Sequence, residues 1–459
     1  MHANEKCVNV VVGDVDVDLY PFLLRYKDGH VERLLCSPFV AASENPASNR
    51  GVATRDVVID AGTGVSARLF LPCRATSSGG RSRRTTTKLP LVVYIHGGSF
   101  CTESAFCRTY HRYATSLAAS AGAVVVSVDY RLAPEHPIPT AYDDAFAALR
   151  WAASLADPWL AEHADPHRTF LAGDSAGGNI AYHTAVRASR RRDDGGGVDV
   201  EGVIIVQPYF WGAERLPSES GPDDGAAVLP VYRVDRLWPF VTAGQAGNED
   251  PRLNPPDEEI ASLTCRRVLV AVAGKDTLRD RGVQLFARIR DYYARAGSRA
   301  ATATLVESEG EDHGFHLYSP LRATSRKLME SIVHFINQPP QPPPPELEVE
   351  LHAADAWGWE GLHAPTHRRI VLGVPSRPFR DIFDYGMDMK RVTGTACRAY
   401  EGASRIGRGN LAASNKVKKC GLFVMGPMRP NKAYKGPAAA ATTTATRLPG
   451  TRVIIKNFF

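Results

Sequence analysis

Between residues 52 and 337 the chain alternates apolar, strand-like runs with helix-like ones, and few folds tolerate that order. The strand candidates are 52–61, 65–72, 89–97, 123–130, 168–174, 200–208, 267–276 and 301–310. Several of the middle ones, such as LVVYI and VVVSV, are continuous β-branched runs, the pattern of strands buried on both faces. Helical patterns fill the gaps at 105–121, 140–156, 176–191, 279–296 and 320–337. In YDDAFAALRWAASL, for example, Phe146, Leu149 and Ala153 fall near one face and acids stand at the start. The alternation predicts an α/β fold with a mostly parallel, doubly wound sheet.

Two stretches fall outside the alternation. One is the segment 1–50. The other is 209–262, an insertion carrying Tyr209, Phe210, Trp211, Tyr232, Trp238 and Phe240. An insertion of that length after the C-terminal end of a strand is where a cap over a site would sit; a helical decoration is the plainer reading. The run QPPQPPPPE then ends the pattern, and 339–346 reads as a stiff, extended spacer. Beyond it, 347–459 shows no sustained apolar period and reads as a poorly ordered extension, with a small basic interaction module as the sharper alternative. From residue 339 onward there are 18 Lys and Arg against 9 Asp and Glu, so the chain's net charge of +6 belongs to this tail. The remainder is slightly acidic, and nucleic-acid binding by the main body is not expected.

The N-terminal residues lack the apolar run of a signal peptide, and no stretch of 18 apolar residues occurs. A cytoplasmic protein, with nuclear residence also open, is therefore expected. The eight cysteines contain no C-x-x-C pair and are read as reduced thiols. Oligomeric state is left open.

Chemistry enters at AGDSAGG, residues 172–178. Gly173, Ser175 and Gly177 form a G-x-S-x-G pattern between an apolar run and a helical one. A tight strand-to-helix turn presents such a serine above the helix N-terminus, and the flanking glycines remove clashes. A hydroxyl is a weak nucleophile at neutral pH and needs a base, which needs an orienting acid. Asp276 follows the run VLVAVAGK, and His313 follows TATLVESEG, both where strand ends would converge. Acyl transfer also needs donors for an oxyanion. IHGGSF places His96, Gly97 and Gly98 directly after a strand, and the Ala176 N–H follows the nucleophile. Asp280 is a runner-up acid, better read as the N-terminal acid of the next helix. In EGEDHGFHLY, His313 and His316 sit in a loop with no nearby cysteine and without helical ligand spacing, so no metal site is expected. Asp174 reads as structural.

Together HGGSF, DYRLAPEHPIPTAYDD, GDSAGGN and DHGFH resemble the hormone-sensitive-lipase group of α/β-hydrolases, and within it the plant carboxylesterases, over roughly residues 15–338. The resemblance implies the α/β-hydrolase fold over 51–338, with 1–50 and 209–262 forming a lid. It implies an esterase acting on small-molecule esters without a cofactor. Ser175 would be the nucleophile, Asp276 the acid and His313 the base, preferred over His316. Gly97, Gly98 and Ala176 would form the oxyanion hole. One departure stands out: Ser99 replaces the third glycine of the group's HGGG. HGGSF also occurs in the gibberellin receptors of the same family, which have lost catalysis, but the receptor reading expects the triad histidine to be replaced. Dehydratases on the same scaffold, with threonine as nucleophile, are a further alternative.

Overall fold

The computed structural model describes residues 15–73, 88–191, 197–220, 227–296 and 301–339. The expectations for 340–459, including most of the proline-rich spacer and the whole extension, lie outside the described residues.

Eight strands form one sheet: β1 (Val52–Asp60), β2 (Val65–Pro72), β3 (Leu89–Ile95), β4 (Val124–Asp129), β5 (Ala164–Asp174), β6 (Gly202–Val206), β7 (Arg267–Ala273) and β8 (Thr302–Ser308). Their order across the sheet is β8-β7-β6-β5-β3-β4-β2-β1. The pairings from β4 through β8 are parallel, while β2 runs against both β1 and β4. Every residue of β3, β6 and β7 is buried, as the unbroken apolar runs require of strands covered on both faces.

The cover comes from helices on either side. The helix α1 (Arg108–Ala121) and the last helix, α6 (Ala323–Asn337), pack one face around Tyr110, Leu117, Leu328 and Phe335. On the other face lie α2 (Thr140–Ala153), α3 (Ala176–Arg190) and α5 (Arg279–Arg295), around Phe146, Ile180 and Leu285. A single apolar helix stripe suffices for each, since the sheet supplies the rest of the core.

Register sets the site. Ile95 pairs with Gly173, Asp174 with Val206, and Ala273 with Ser308. The C-terminal ends of β3, β5 and β6 thus fall within one residue of each other, β7 and β8 run two residues further because Val206 pairs with Ala271, and the loops after them open on one edge. Here β3 lies between β5 and β4, the point where strand order reverses and a crevice forms.

The N-terminal segment, which falls outside the alternation, carries strands of its own. Val15–Leu19, Leu23–Tyr26 and Val31–Arg33 form a small antiparallel sheet, and Leu19, Phe22 and Leu23 join the main core. Strands of three to five residues leave too little periodicity to be seen. The Arg33 guanidinium fastens this sheet down, donating to the carbonyls of Cys101 and Ala133 and pairing with Glu135 at 2.6 Å. The 209–262 insertion holds α4 (Val231–Val241), whose Leu237 and Trp238 enter the core. Arg233 of α4 lies over the Tyr20 ring and Arg25 over Phe240, so insertion and N-terminal sheet touch.

Candidate active site

The turn between β5 and α3 carries Ser175 at φ 52°, ψ −119°, a conformation a non-glycine residue adopts only when its surroundings enforce it. Enforcement comes from both sides: the Ser175 N–H donates to Val206 O at 2.9 Å, and the Ser175 carbonyl accepts from Gly178 and Tyr209. Gly177 faces strand β3 so closely that a Cβ there would run into the Ile95 carbonyl oxygen. The serine is buried, at 8% exposure.

Two loops meet it. The loop after β7 brings Asp276, which accepts the Leu278 N–H on Oδ1 at 3.0 Å. The loop after β8 brings His313. Its Nδ1 lies 2.7 Å from Asp276 Oδ2 and its Nε2 lies 2.9 Å from Ser175 Oγ. A carboxylate can only accept, so Nδ1 carries the proton. That leaves Nε2 of the neutral ring as the acceptor for the serine hydroxyl. Burial pushes the His313 pKa down, but the charges of Asp276, Asp174 and Asp312 outweigh it and hold the ring above its ordinary 6.5.

The histidine loop is pinned on several sides. Asp312 Oδ1 accepts the His313 N–H, and its Oδ2 accepts the N–H of Val228 from the insertion. Gly314, in the left-handed region at φ 72°, donates its N–H to Gln207 Oε1 at the end of β6. Glu311 is held by Arg322 and Thr324. Two acids of EGEDHGFHLY, Glu311 and Asp312, thus shape the loop. His316 points elsewhere: it is buried edge-on against Tyr113, has no hydrogen-bond partner among the described residues, and burial lowers its pKa to about 3. Asp280 is spent on the insertion, accepting the Ser218 N–H at 2.9 Å.

The oxyanion side departs from the sequence expectation at one residue. The Gly97 N–H does not face Ser175. It is directed into the protein, to Asp174 Oδ1 at 3.1 Å and the Tyr110 hydroxyl at 2.9 Å. A donor so engaged cannot serve an oxyanion, and Gly97 leaves the set for that reason. The N–H groups of Gly98, Ser99 and Ala176, by contrast, meet no acceptor among the described residues. Ser99 and Ala176 are buried, and buried amides are seldom left unpaired without a ligand to satisfy them. Ser99 thus offers an unpaired N–H that the sequence expectation did not include; a side chain has no part in a backbone N–H, so the change from glycine carried no signal. His96 stacks on Tyr130 and, with its Nδ1 2.7 Å from Gly97 O, braces the peptide whose N–H belongs to Gly98.

Comparison with known proteins agrees with this architecture. Residues 92–317 match a family model described as the alpha/beta hydrolase fold. A 2-hydroxyisoflavanone dehydratase of Glycyrrhiza echinata is 39% identical over 337 residues, spanning 70% of this chain and 96% of that protein. A chloroplastic tuliposide A-converting enzyme of Tulipa gesneriana is 39% identical over 334 residues, spanning 70% of this chain and 78% of the other. A probable carboxylesterase of Arabidopsis thaliana is 36% identical over 337 residues, spanning 70% and 98%. Among solved structures, a thermostable carboxylesterase from a metagenomic library superposes with TM-score 0.50 at 28% identity, covering 66% of this chain and 92% of that one.

Proposed function

The chain belongs to the plant carboxylesterase group of the α/β-hydrolases, and from that membership we propose that it cleaves small carboxylic esters through an acyl-enzyme on Ser175. As a member of that group it is a carboxylic-ester hydrolase. The observation that carries the assignment of residues is the continuous chain of hydrogen bonds Ser175–His313–Asp276, at 2.9 and 2.7 Å.

In the proposed reaction Ser175 Oγ attacks the ester carbonyl while its proton passes to His313 Nε2. The carbonyl oxygen, now an oxyanion, takes hydrogen bonds from the N–H groups of Gly98, Ser99 and Ala176. Asp276 holds the ring in the required tautomer and stabilises the imidazolium. The C–O bond to the alcohol then breaks, His313 returns the proton to the departing oxygen, and water repeats the sequence on the acyl-enzyme.

We assign the described parts of the segment 1–50 and of the insertion 209–262 to a lid over this site. The Arg233–Tyr20 contact and the bond from Val228 to Asp312 support that reading. Among the described residues no helix is long and apolar enough to cross a membrane. Cytoplasmic residence remains our proposal, although a relative is designated chloroplastic.

Two other roles on this scaffold, hormone binding and dehydration, are separable by experiment. A receptor of the gibberellin type has no use for a base bonded to the serine, and the His313 geometry favours hydrolysis over it. The relatives include a dehydratase, and Ser175 in place of threonine favours hydrolysis here. A panel of p-nitrophenyl esters from acetate to octanoate, run beside gibberellin binding and 2-hydroxyisoflavanone dehydration, tests the proposal. Turnover of the short esters is expected. Gibberellin binding or dehydration without any ester turnover would overturn it.

A further inference from the structure

We infer, resting on the reading of Ser175 as the acylating nucleophile, that Asp174 is the positioning residue of the oxyanion site, anchoring the loop 97–102 from behind so that the N–H groups of Gly98 and Ser99 remain free for substrate. Asp174 is itself buried, at 3% exposure, one residue before the nucleophile and at the end of β5. Its carboxylate gathers three donors. The Tyr94 hydroxyl reaches Oδ1 at 2.6 Å, the Gly97 N–H reaches Oδ1 at 3.1 Å, and the Tyr110 hydroxyl reaches Oδ2 at 2.9 Å. Tyr110 also accepts from the Gly97 N–H, closing a ring of contacts around one backbone amide.

The fit is close enough to explain the residue at 97. A Cβ there would stand 2.6 Å from Asp174 Oδ2, so only glycine brings the strand end against the carboxylate. The rest of the loop is fixed by its own turn, in which Gly98 O accepts from the N–H groups of Cys101 and Thr102 and from the Thr102 hydroxyl. With the Gly97 amide drawn inward and the Gly98 carbonyl committed to that turn, the amides of Gly98 and Ser99 are the ones left without acceptors among the described residues. A buried carboxylate bonded to two tyrosines and one amide is costly to set up, since burial pushes its pKa up against the pull of those donors. That cost has a return if the carboxylate holds the catalytic turn and the oxyanion loop at a fixed spacing, because Asp174 is covalently next to Ser175 and hydrogen-bonded to Gly97.

Asp174→Asn tests this. The amide keeps the shape but can accept at only one of the two oxygen positions, so its hydrogens stand either against the Gly97 N–H and Tyr94 hydroxyl or against the Tyr110 hydroxyl. We expect kcat for p-nitrophenyl acetate to fall about 100-fold with KM within about threefold, the scale for losing an oxyanion donor. A trifluoromethyl ketone adds reversibly to the serine, forming the Oγ–C bond while the carbonyl electrons become an oxyanion and the hydroxyl proton passes to His313. Its affinity should fall by a similar factor, while that of the matching trifluoromethyl carbinol, which forms no oxyanion, stays unchanged. A merely structural role would move both ligands or neither. Tyr94→Phe and Tyr110→Phe, each deleting one hydrogen bond, serve if the asparagine variant does not fold; each should lose several-fold in kcat and ketone affinity together. Folded variants with wild-type kcat and ketone affinity would overturn the inference. A wild-type protein that neither hydrolyses esters nor binds the ketone would instead overturn the assignment of Ser175 on which it rests.

Discussion

Replacing Asp276 by Asn should cost catalysis far more than its small chemical change suggests, and the geometry says why. Asp276 Oδ1 accepts the Leu278 N–H at 3.0 Å, and Oδ2 meets His313 Nδ1 at 2.7 Å. In the Asp276→Asn variant the side-chain oxygen must stay on the Leu278 N–H, because an amide NH2 cannot accept there. The NH2 then faces His313 Nδ1 as a donor. The ring answers by moving its proton to Nε2, which lies 2.9 Å from Ser175 Oγ and can no longer accept the hydroxyl proton. Recovering the productive tautomer requires turning the amide over and abandoning the buried Leu278 N–H, at about 1–3 kcal/mol. The imidazolium that forms during attack also loses its neighbouring negative charge. Where an aspartate in this role has been changed to asparagine, kcat drops ~10⁴-fold, equivalent to about 5.5 kcal/mol of barrier. We therefore expect kcat/KM for p-nitrophenyl acetate to fall by ~10⁴ in Asp276→Asn. Circular dichroism should show a native spectrum and a cooperative melt. A folded variant losing less than ~10-fold in kcat/KM would refute the reasoning, because His313 would then not depend on Asp276 for its tautomer.

Other perturbations probe neighbouring parts of the site. His313 must be neutral to accept a proton, and its pKa is held above 6.5, so kcat/KM should rise with pH through a midpoint above that value. In Asp276→Asn that midpoint should move down, since the largest upward influence is gone; a pH–rate profile of both proteins checks the direction. Gly177→Ala would ordinarily stabilise a helix by up to about 1 kcal/mol. Here its Cβ would run into the Ile95 carbonyl, so thermal melts should show a loss of at least about 1–3 kcal/mol and reduced activity.

The features legible in sequence were those written by periodicity or by a locally complete motif. All eight main strands and the five long helices between 105 and 337 fall where alternation predicted them, because a sheet covered on both faces demands unbroken apolar runs. The N-terminal sheet was missed because its strands are short and its stability comes from docking, through Leu19, Phe22, Leu23 and the Arg33 clasp, onto residues remote in sequence. At the site, Ser175, Asp276 and His313 each sit at a strand end, so topology alone predicts their convergence. The direction of a single amide is another matter. Gly97 reads as a donor after a strand, and only the position of the Asp174 carboxylate and Tyr110, the latter 13 residues further along on α1, turns that N–H away. Nothing local to HGGSF encodes it. Asp174 itself looked structural from its place in the motif, and its partners Tyr94 and Tyr110 lie too far apart in the chain to announce a network. The acids of the histidine loop likewise gain meaning only when Arg322, Thr324 and Val228 are brought beside them.

The most direct test of the account is covalent capture of the nucleophile. The intact protein and the Ser175→Ala variant would be treated with a fluorophosphonate ester, followed by mass measurement, peptide mapping and p-nitrophenyl acetate turnover. One adduct per wild-type chain is expected, located on Ser175, with matching loss of activity. A folded Ser175→Ala protein should take no adduct and turn over esters several orders of magnitude more slowly. An adduct at another residue, or undiminished ester turnover in that variant, would contradict the account.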